Sequence, residues 1–170
     1  VLHGVSLDIG CAGPPDLGFI AKVKALARRV RAPWVTDRLL PEGVAGRNTH
    51  DLLPLPRNGE TLAHVAARVR VVMDALERPI RLETLDLIDR AASTTGEAEF
   101  LSRLAAETSC GLLVDVDNVF VSSFDHGWDA ESWIDAIPAE RVVQVHLAGH
   151  ADLGTHLLTT QSDHVRPEVR

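Results

Sequence analysis

The sequence predicts an α/β chain on parallel strands: a (β/α) barrel-type fold, TIM-barrel-like but incomplete, with about five recognisable strands. Three observations predict it. Short apolar runs alternate with amphipathic helical stretches, which implies parallel strands joined by right-handed crossovers. The runs are apolar throughout, as strands covered on both faces are. Each run ends in residues able to bind ligands, the arrangement of a barrel mouth. The alternation alone fits an open doubly wound sheet equally well. Gly4, Gly10 and Gly13 lack dinucleotide spacing, and no Gly-rich phosphate loop follows a strand, so nucleotide binding is disfavoured.

Val1 to Val5 reads as the first strand, extensible to Ile9. Pro14-Pro15-Asp16 opens a helix, since proline suits a first turn and an acid suits its positive end. Leu17, Ile20, Val23, Ala27 and Val30 form its apolar stripe, and Pro33 breaks it. Trp34-Val35-Thr36 is the second strand. Residues 41 to 59 carry Pro41, Gly43, Gly46, Pro54, Pro56 and Gly59, a long connection of the kind that forms a functional lid or a disordered segment. The next helix sets Leu62, Val65, Ala66, Val69, Val72, Met73 and Leu76 on one face, and Pro79 ends it. Ile80 to Leu82 begins the third strand. Thr94 and Glu97 have capping-box spacing before Phe100, Leu101 and Leu104, and Gly111 terminates that helix. Leu112 to Val114 is the fourth strand. Asp129 caps a short helix holding Trp133, Ile134 and Ile137, which Pro138 stops. Val142, Val143 and Val145 make the fifth strand. The pattern then fades, and Gln161 to Arg170 should fray.

A length of 170 residues suits one domain, divided as a partial barrel over 1–150 and a polar tail over 151–170. The net charge of −7 argues against a nucleic-acid partner, which needs a basic surface. No apolar run approaches the roughly 20 residues that span a bilayer, and no basic segment leads a signal peptide. Cys11 and Cys110 do not make a disulfide framework, so a reducing cytoplasm is expected. Val1 already lies in what reads as a strand, the pattern expected of a missing N-terminal piece or of an unusual start.

The chemistry gathers at the strand ends. His3 ends the first strand, Thr36-Asp37-Arg38 the second and Glu83-Thr84 the third. Asp115, Asp117 and Asn118 end the fourth; His146 ends the fifth, with His150 four residues on. Two imidazoles and two or three carboxylates at one mouth would hold a divalent metal, and the mixture suits iron, manganese or zinc. Polar strand ends also arise because they meet solvent and helix caps, so one acid there is no ligand by itself. Glu83 and His146 stand out because each follows an apolar run, where a charge or an imidazole needs a partner. His64 reads as a boundary residue. His126, in the loop Phe124-Asp125-His126-Gly127, could reach the mouth, while His156 and His164 lie in the fading tail. His50 precedes Asp51-Leu52-Leu53-Pro54-Leu55-Pro56, a rigid lid edge. No Gly-x-Ser-x-Gly elbow supports nucleophilic hydrolysis.

Four blocks in order carry a resemblance. They are Leu2-His3-Gly4-Val5-Ser6-Leu7, then Asp51-Leu52-Leu53-Pro54-Leu55-Pro56, then 111–119 (Gly-Leu-Leu-Val-Asp-Val-Asp-Asn-Val), then His146-Leu147-Ala148-Gly149-His150. Together they resemble the UPF0276 proteins, the multinuclear non-haem iron-dependent oxidative enzymes, over residues 1 to about 150. The resemblance implies a xylose-isomerase-like barrel with iron at its mouth, one to three ions. It also implies oxygen-dependent modification of cysteine in a ribosomally made peptide, often brought by a delivering partner protein. Carried over by motif position, His3, Glu83, Asp115, Asn118 and His146 fall at metal ligands or their neighbours, and His150 at the second histidine of its block. The chain also departs from the pattern. Where the family has Ser-(Asp/Glu)-His-Leu, this chain has Thr36-Asp37-Arg38-Leu39, and a guanidinium cannot coordinate a metal. The family's Leu-Glu-Asn is Leu82-Glu83-Thr84, and its Asp-Val-Asn-Asn is Asp115-Val116-Asp117-Asn118. Its C-terminal Asp-x-His pair has no match around Thr159 to Gln161, and its first and last barrel strands have no counterpart.

These features lead to an iron-dependent oxidative enzyme acting on a peptide, with Arg38 and His150 in catalytic roles and Arg38 contacting a substrate carboxylate or anion. The alternative is a degenerate, catalytically inactive member with no redox turnover and no cofactor, kept as a binding module or with no retained activity. A mononuclear metal isomerase or hydrolase is the third reading. Five strands cannot close an eight-stranded barrel, so the free edges would be covered by the tail, by sequence beyond the chain, or by a second copy in a homo-oligomer.

Overall fold

The computed structural model describes residues 1–4, 6–41, 43–44, 47–48, 53–83, 92–160 and 164–169. Val5, Gly46, His50, Asp51, Leu52, Thr84, Gln161 and Arg170 lie outside them. In chain order the elements begin β1 (Leu2–His3), α1 (Leu17–Arg29), β2 (Val35–Arg38), β3 (Gly43–Val44), β4 (Arg47–Asn48), α2 (Gly59–Leu76) and β5 (Ile80–Glu83). They continue α3 (Glu97–Thr108), β6 (Gly111–Asp115), α4 (Val116–His126), α5 (Ala130–Asp135), β7 (Val142–His146), β8 (His150–Asp152) and β9 (Leu157–Thr159). Single 3-10 turns stand at Ala139–Arg141 and Pro167–Val169.

Five strands form one parallel sheet in the order β1-β2-β5-β6-β7. Each new strand is laid beside the one before, and the sheet curls into a half-barrel alternating with helices, an incomplete TIM-barrel-like fold. The register sets Arg38 opposite Glu83 and Asp115 opposite His146, so the strands finish level. The connection after β2 contains the antiparallel pair β3–β4, and β8 and β9 form a second antiparallel pair.

The helix periodicity holds best in α2, where Leu62, Val65, Ala66, Val69, Val72 and Leu76 are all buried. They join Val35, Ile80, Leu82, Leu104 and Leu112 in one core. Each such side chain contributes about 1.5–3 kcal/mol relative to exposure. Arg68 is also buried on α2, and its guanidinium donates to the carbonyls of Asp8, Ile9 and Gly13. It thereby ties the loop after β1 to that helix.

Several expectations are corrected. The first strand is two residues long, not five to nine. In α1, Asp16 is the N-cap and Leu17 and Val30 are exposed, so only Ile20 and Ala27 of the stripe are buried. The capping box does not form: Gly96 is the N-cap of α3, and the Thr94 N–H donates to the Arg57 carbonyl. Ser109, in a left-handed conformation, ends α3, so Gly111 is no helix stop. Gly111 instead opens β6, where a Cβ would collide with Arg81 Cδ and Val143 Cγ2. Residues 116–126 form α4, so His126 ends a helix and is not in a loop. That helix starts at the mouth and runs about 16 Å, which carries His126 away from it. β7 is not covered on both faces, because Val143 and Val145 are exposed.

Cys110 is buried, and loss of solvent pushes its thiol up, whereas Cys11 is half-buried in the loop after β1. A thiol reagent at pH 8 should therefore titrate about one cysteine in the folded chain and the other only in denaturant. Two fast thiols would contradict this packing. Among the described residues no helix is long and apolar enough to cross a membrane.

Candidate metal centre

The level strand ends bring four of the expected residues together. Glu83 closes β5 with its side chain 2% exposed. His146 Nδ1 lies 3.0 Å from its Oε1. His3 Nε2 lies 3.7 Å and Arg38 Nε 3.6 Å from its Oε2. The two imidazole rings meet edge to face, 5.1 Å between centroids. One ligand atom each from His3, Glu83 and His146 lies within 4.8 Å of the other two. That spread is wider than coordination through one ion requires, and side-chain rotation closes it.

The donor set fits a divalent metal. Glu83 Oε2 is buried and makes no hydrogen bond among the described residues. Such an atom is costly unless a cation meets it, and the Arg38 guanidinium, at 3.6 Å, makes no hydrogen bond to it. His3 is oriented for the task. Thr36 Oγ1 donates to the Leu2 carbonyl at 3.3 Å and stands 2.7 Å from His3 Nδ1. Thr36 thus holds the ring by Nδ1 and leaves Nε2 facing Glu83 Oε2, the side on which a metal would be shared. Burial holds the His3 imidazole below its ordinary value, Glu83 opposes this, and His146 and Arg38 lower it further. A neutral ring is the form that coordinates.

The remaining residues stand around this group. Asp115 ends β6 and caps α4, its Oδ1 accepting from Asn118 N–H at 3.1 Å. Its carboxyl is raised, chiefly by burial and then by Glu83 and Asp117, against the Asn118 N–H and His146. Asp115 borders the cluster without joining it within 4.8 Å. The Asn118 amide nitrogen is buried with no hydrogen-bond partner among the described residues. His150 is placed elsewhere: its Nδ1 is 2.8 Å from Asp117 Oδ1, both side chains are buried, and its ring stacks on Phe120.

Two partners escaped the sequence reading, Trp34 and Gln144. Trp34 Nε1–H donates to Gln144 Oε1 at 3.2 Å, and Gln144 Nε2 lies 2.9 Å from His146 Nε2. The alternation of β7 puts Gln144 and His146 on one side, but their distance of 110 residues from Trp34 leaves no sequence signal.

The chain matches, over residues 1–170, the family described as RiPP precursor modification enzyme MbnB/TglH/ChrH. It is 41% identical over 168 residues to a UPF0276 protein of Caulobacter vibrioides, covering 98% of this chain and 60% of that protein. It is 42% identical over 170 residues to a UPF0276 protein of Anaeromyxobacter sp., covering 99% and 60%. A UPF0276 protein of Paraburkholderia phytofirmans is 40% identical over 152 residues, covering 89% and 50%. The chain thus spans about half to three-fifths of the length of the curated relatives it matches.

Proposed function

Since this chain belongs to the RiPP precursor modification enzyme family MbnB/TglH/ChrH, we propose that it acts on a ribosomally made peptide at a metal held in the barrel mouth. The observation that carries this is the buried Glu83 between two histidines, with one carboxylate oxygen lacking a hydrogen bond. His3 and His146 would supply neutral nitrogen, Glu83 the anionic oxygen, and Asp115 a further carboxylate at the rim. Iron, when bound there, would supply one-electron chemistry with oxygen, the chemistry that oxidises a peptide thiol. Arg38, partly exposed beside Glu83, would hold a peptide carboxylate over the site. Asn118 would donate its unpaired amide at the wall, and His150 would brace that wall through Asp117. A delivering partner protein and a cytoplasmic setting complete the proposal.

Metal content tests it. After anaerobic purification from iron-supplemented cells, at least about one iron per folded chain is expected. A folded chain free of iron, manganese and zinc would overturn the reading.

One observation favours a second reading. The Arg38 guanidinium faces Glu83 Oε2, where it can stand in for a cation, and that suits a binding module without redox turnover. Arg38→Met separates the two. If the arginine only borders the metal, the variant should bind iron about tenfold more tightly while the wild type already binds it. Iron in Arg38→Met alone would establish that the arginine has displaced the metal.

A further inference from the structure

The two histidines of the mouth turn different nitrogens to Glu83, His3 its Nε2 and His146 its Nδ1, and a chain of hydrogen bonds fixes the His146 proton. Trp34 Nε1–H can only donate, so the Gln144 atom 3.2 Å away must be the amide oxygen. The amide orientation is then fixed, and its NH₂ faces His146 Nε2 at 2.9 Å. A donor there requires Nε2 to accept, so in the neutral ring the proton sits on Nδ1. Nδ1–H in turn donates to Glu83 Oε1 at 3.0 Å. One donor-only group thus sets the proton position two residues away. His3 differs in that its Nδ1 meets Thr36 Oγ1 and its Nε2 faces Glu83.

We propose that Trp34 and Gln144 are positioning residues that store His146 in its Nδ1–H tautomer, locked onto Glu83, so that a divalent metal enters only when the Gln144 amide turns. This rests on the metal reading above. The nitrogen facing Glu83 is the one a metal shared with Glu83 would use, and it carries a proton. Freeing it moves the proton to Nε2, which then needs an acceptor. Gln144 can present its oxygen only by turning its NH₂ toward Trp34 Nε1–H, donor against donor. Arg81, stacked 5.6 Å over the Trp34 ring, holds the indole in place. Glu83 Oε1 and both His146 nitrogens are therefore occupied, Glu83 Oε2 is left without a hydrogen bond, and binding a metal through His146 must undo that arrangement.

The test uses the whole chain, ¹⁵N-labelled at histidine, with Mn(II) as the probe. In the metal-free wild type, imidazole nitrogen shifts should report His146 as Nδ1–H. Gln144→Glu offers acceptors to both Trp34 and His146, so it should move the proton to Nε2. Trp34→Phe removes the anchor without adding charge, so it should yield a mixture of tautomers. Both variants should bind Mn(II) more tightly, Trp34→Phe by roughly 2- to 10-fold, the range one released hydrogen bond allows. Tautomers unchanged in both variants would overturn the relay whatever the metal does. A moved proton with unchanged Mn(II) affinity would overturn its role as a gate. No Mn(II) binding by any of the three chains would overturn the gate and the metal reading together, with the NMR result still judging the relay.

Discussion

Glu83→Gln is expected to strip metal from the barrel mouth while leaving the chain folded. The substitution keeps the shape and removes the charge. Glu83 is the common neighbour of the group, within 3.0 Å of His146 and 3.7 Å of His3. Loss of an outer partner of a metal ligand costs 10–100-fold in affinity, so loss of the central carboxylate should cost at least about 100-fold. The measurement is metal per chain together with a chelator competition titration, and circular dichroism monitors the fold. Asp117→Asn, outside the group, should keep wild-type metal content. Full metal content in Glu83→Gln would sink the assignment of this centre.

Asp117→Ala should have the largest effect on stability. Asp117 is fully buried in the first turn of α4 and meets a His150 that is 2% exposed. Removing it strands a buried imidazole with Phe120 stacked on one side. Breaking a buried pair of this kind costs about 3 kcal/mol or more, or roughly 6–12 °C in Tm for a chain of this size. Asp117→Asn keeps an oxygen for His150 Nδ1–H and should cost less than half as much. Urea unfolding with an unchanged m-value checks both. A loss below about 1 kcal/mol in Asp117→Ala would mean that the pair does not anchor β8 to α4.

The parallel sheet was legible because its signal is local. Ile80-Arg81-Leu82 and Gly111 to Val114 read as strands, and the helix between them as a crossover. Level strand ends then follow from strand order, which is why His3, Glu83 and His146 could be gathered before any coordinates. The failures have physical causes. Asp115, Asp117 and Asn118 looked like the end of the fourth strand because the β-branched valines beside them favour strands. Asp115 is in fact both the last strand residue and the cap of α4, a dual use that periodicity cannot separate. Gly111 looked like a helix stop, but what excludes a side chain there is Arg81 and Val143, neighbours contributed by other strands. His150 shared a motif with His146 and was grouped with it. Its chain enters β8 instead, and its ring turns to Asp117. The Trp34–Gln144–His146 relay lies wholly beyond sequence, since which end of an amide faces an indole is decided only by packing.

β1 is paired through two residues, Leu2 and His3, and against one neighbour, whereas β6 is buried along its length between two strands. Amide exchange in such a sheet proceeds from its margin inwards. One of the three donors therefore rides on β1, which among the described residues is paired through two residues only. A metal bound by the closed form alone opposes opening of that strand by about 2.7 kcal/mol at a hundredfold excess over Kd. Exchange at Gly4, whose N–H is bonded to the Thr36 carbonyl, should slow by about the same hundredfold factor when metal is added, while exchange in α3 should not. The mouth thus acts as a clasp on β1, and the residence time of the ion sets how long that strand stays shut.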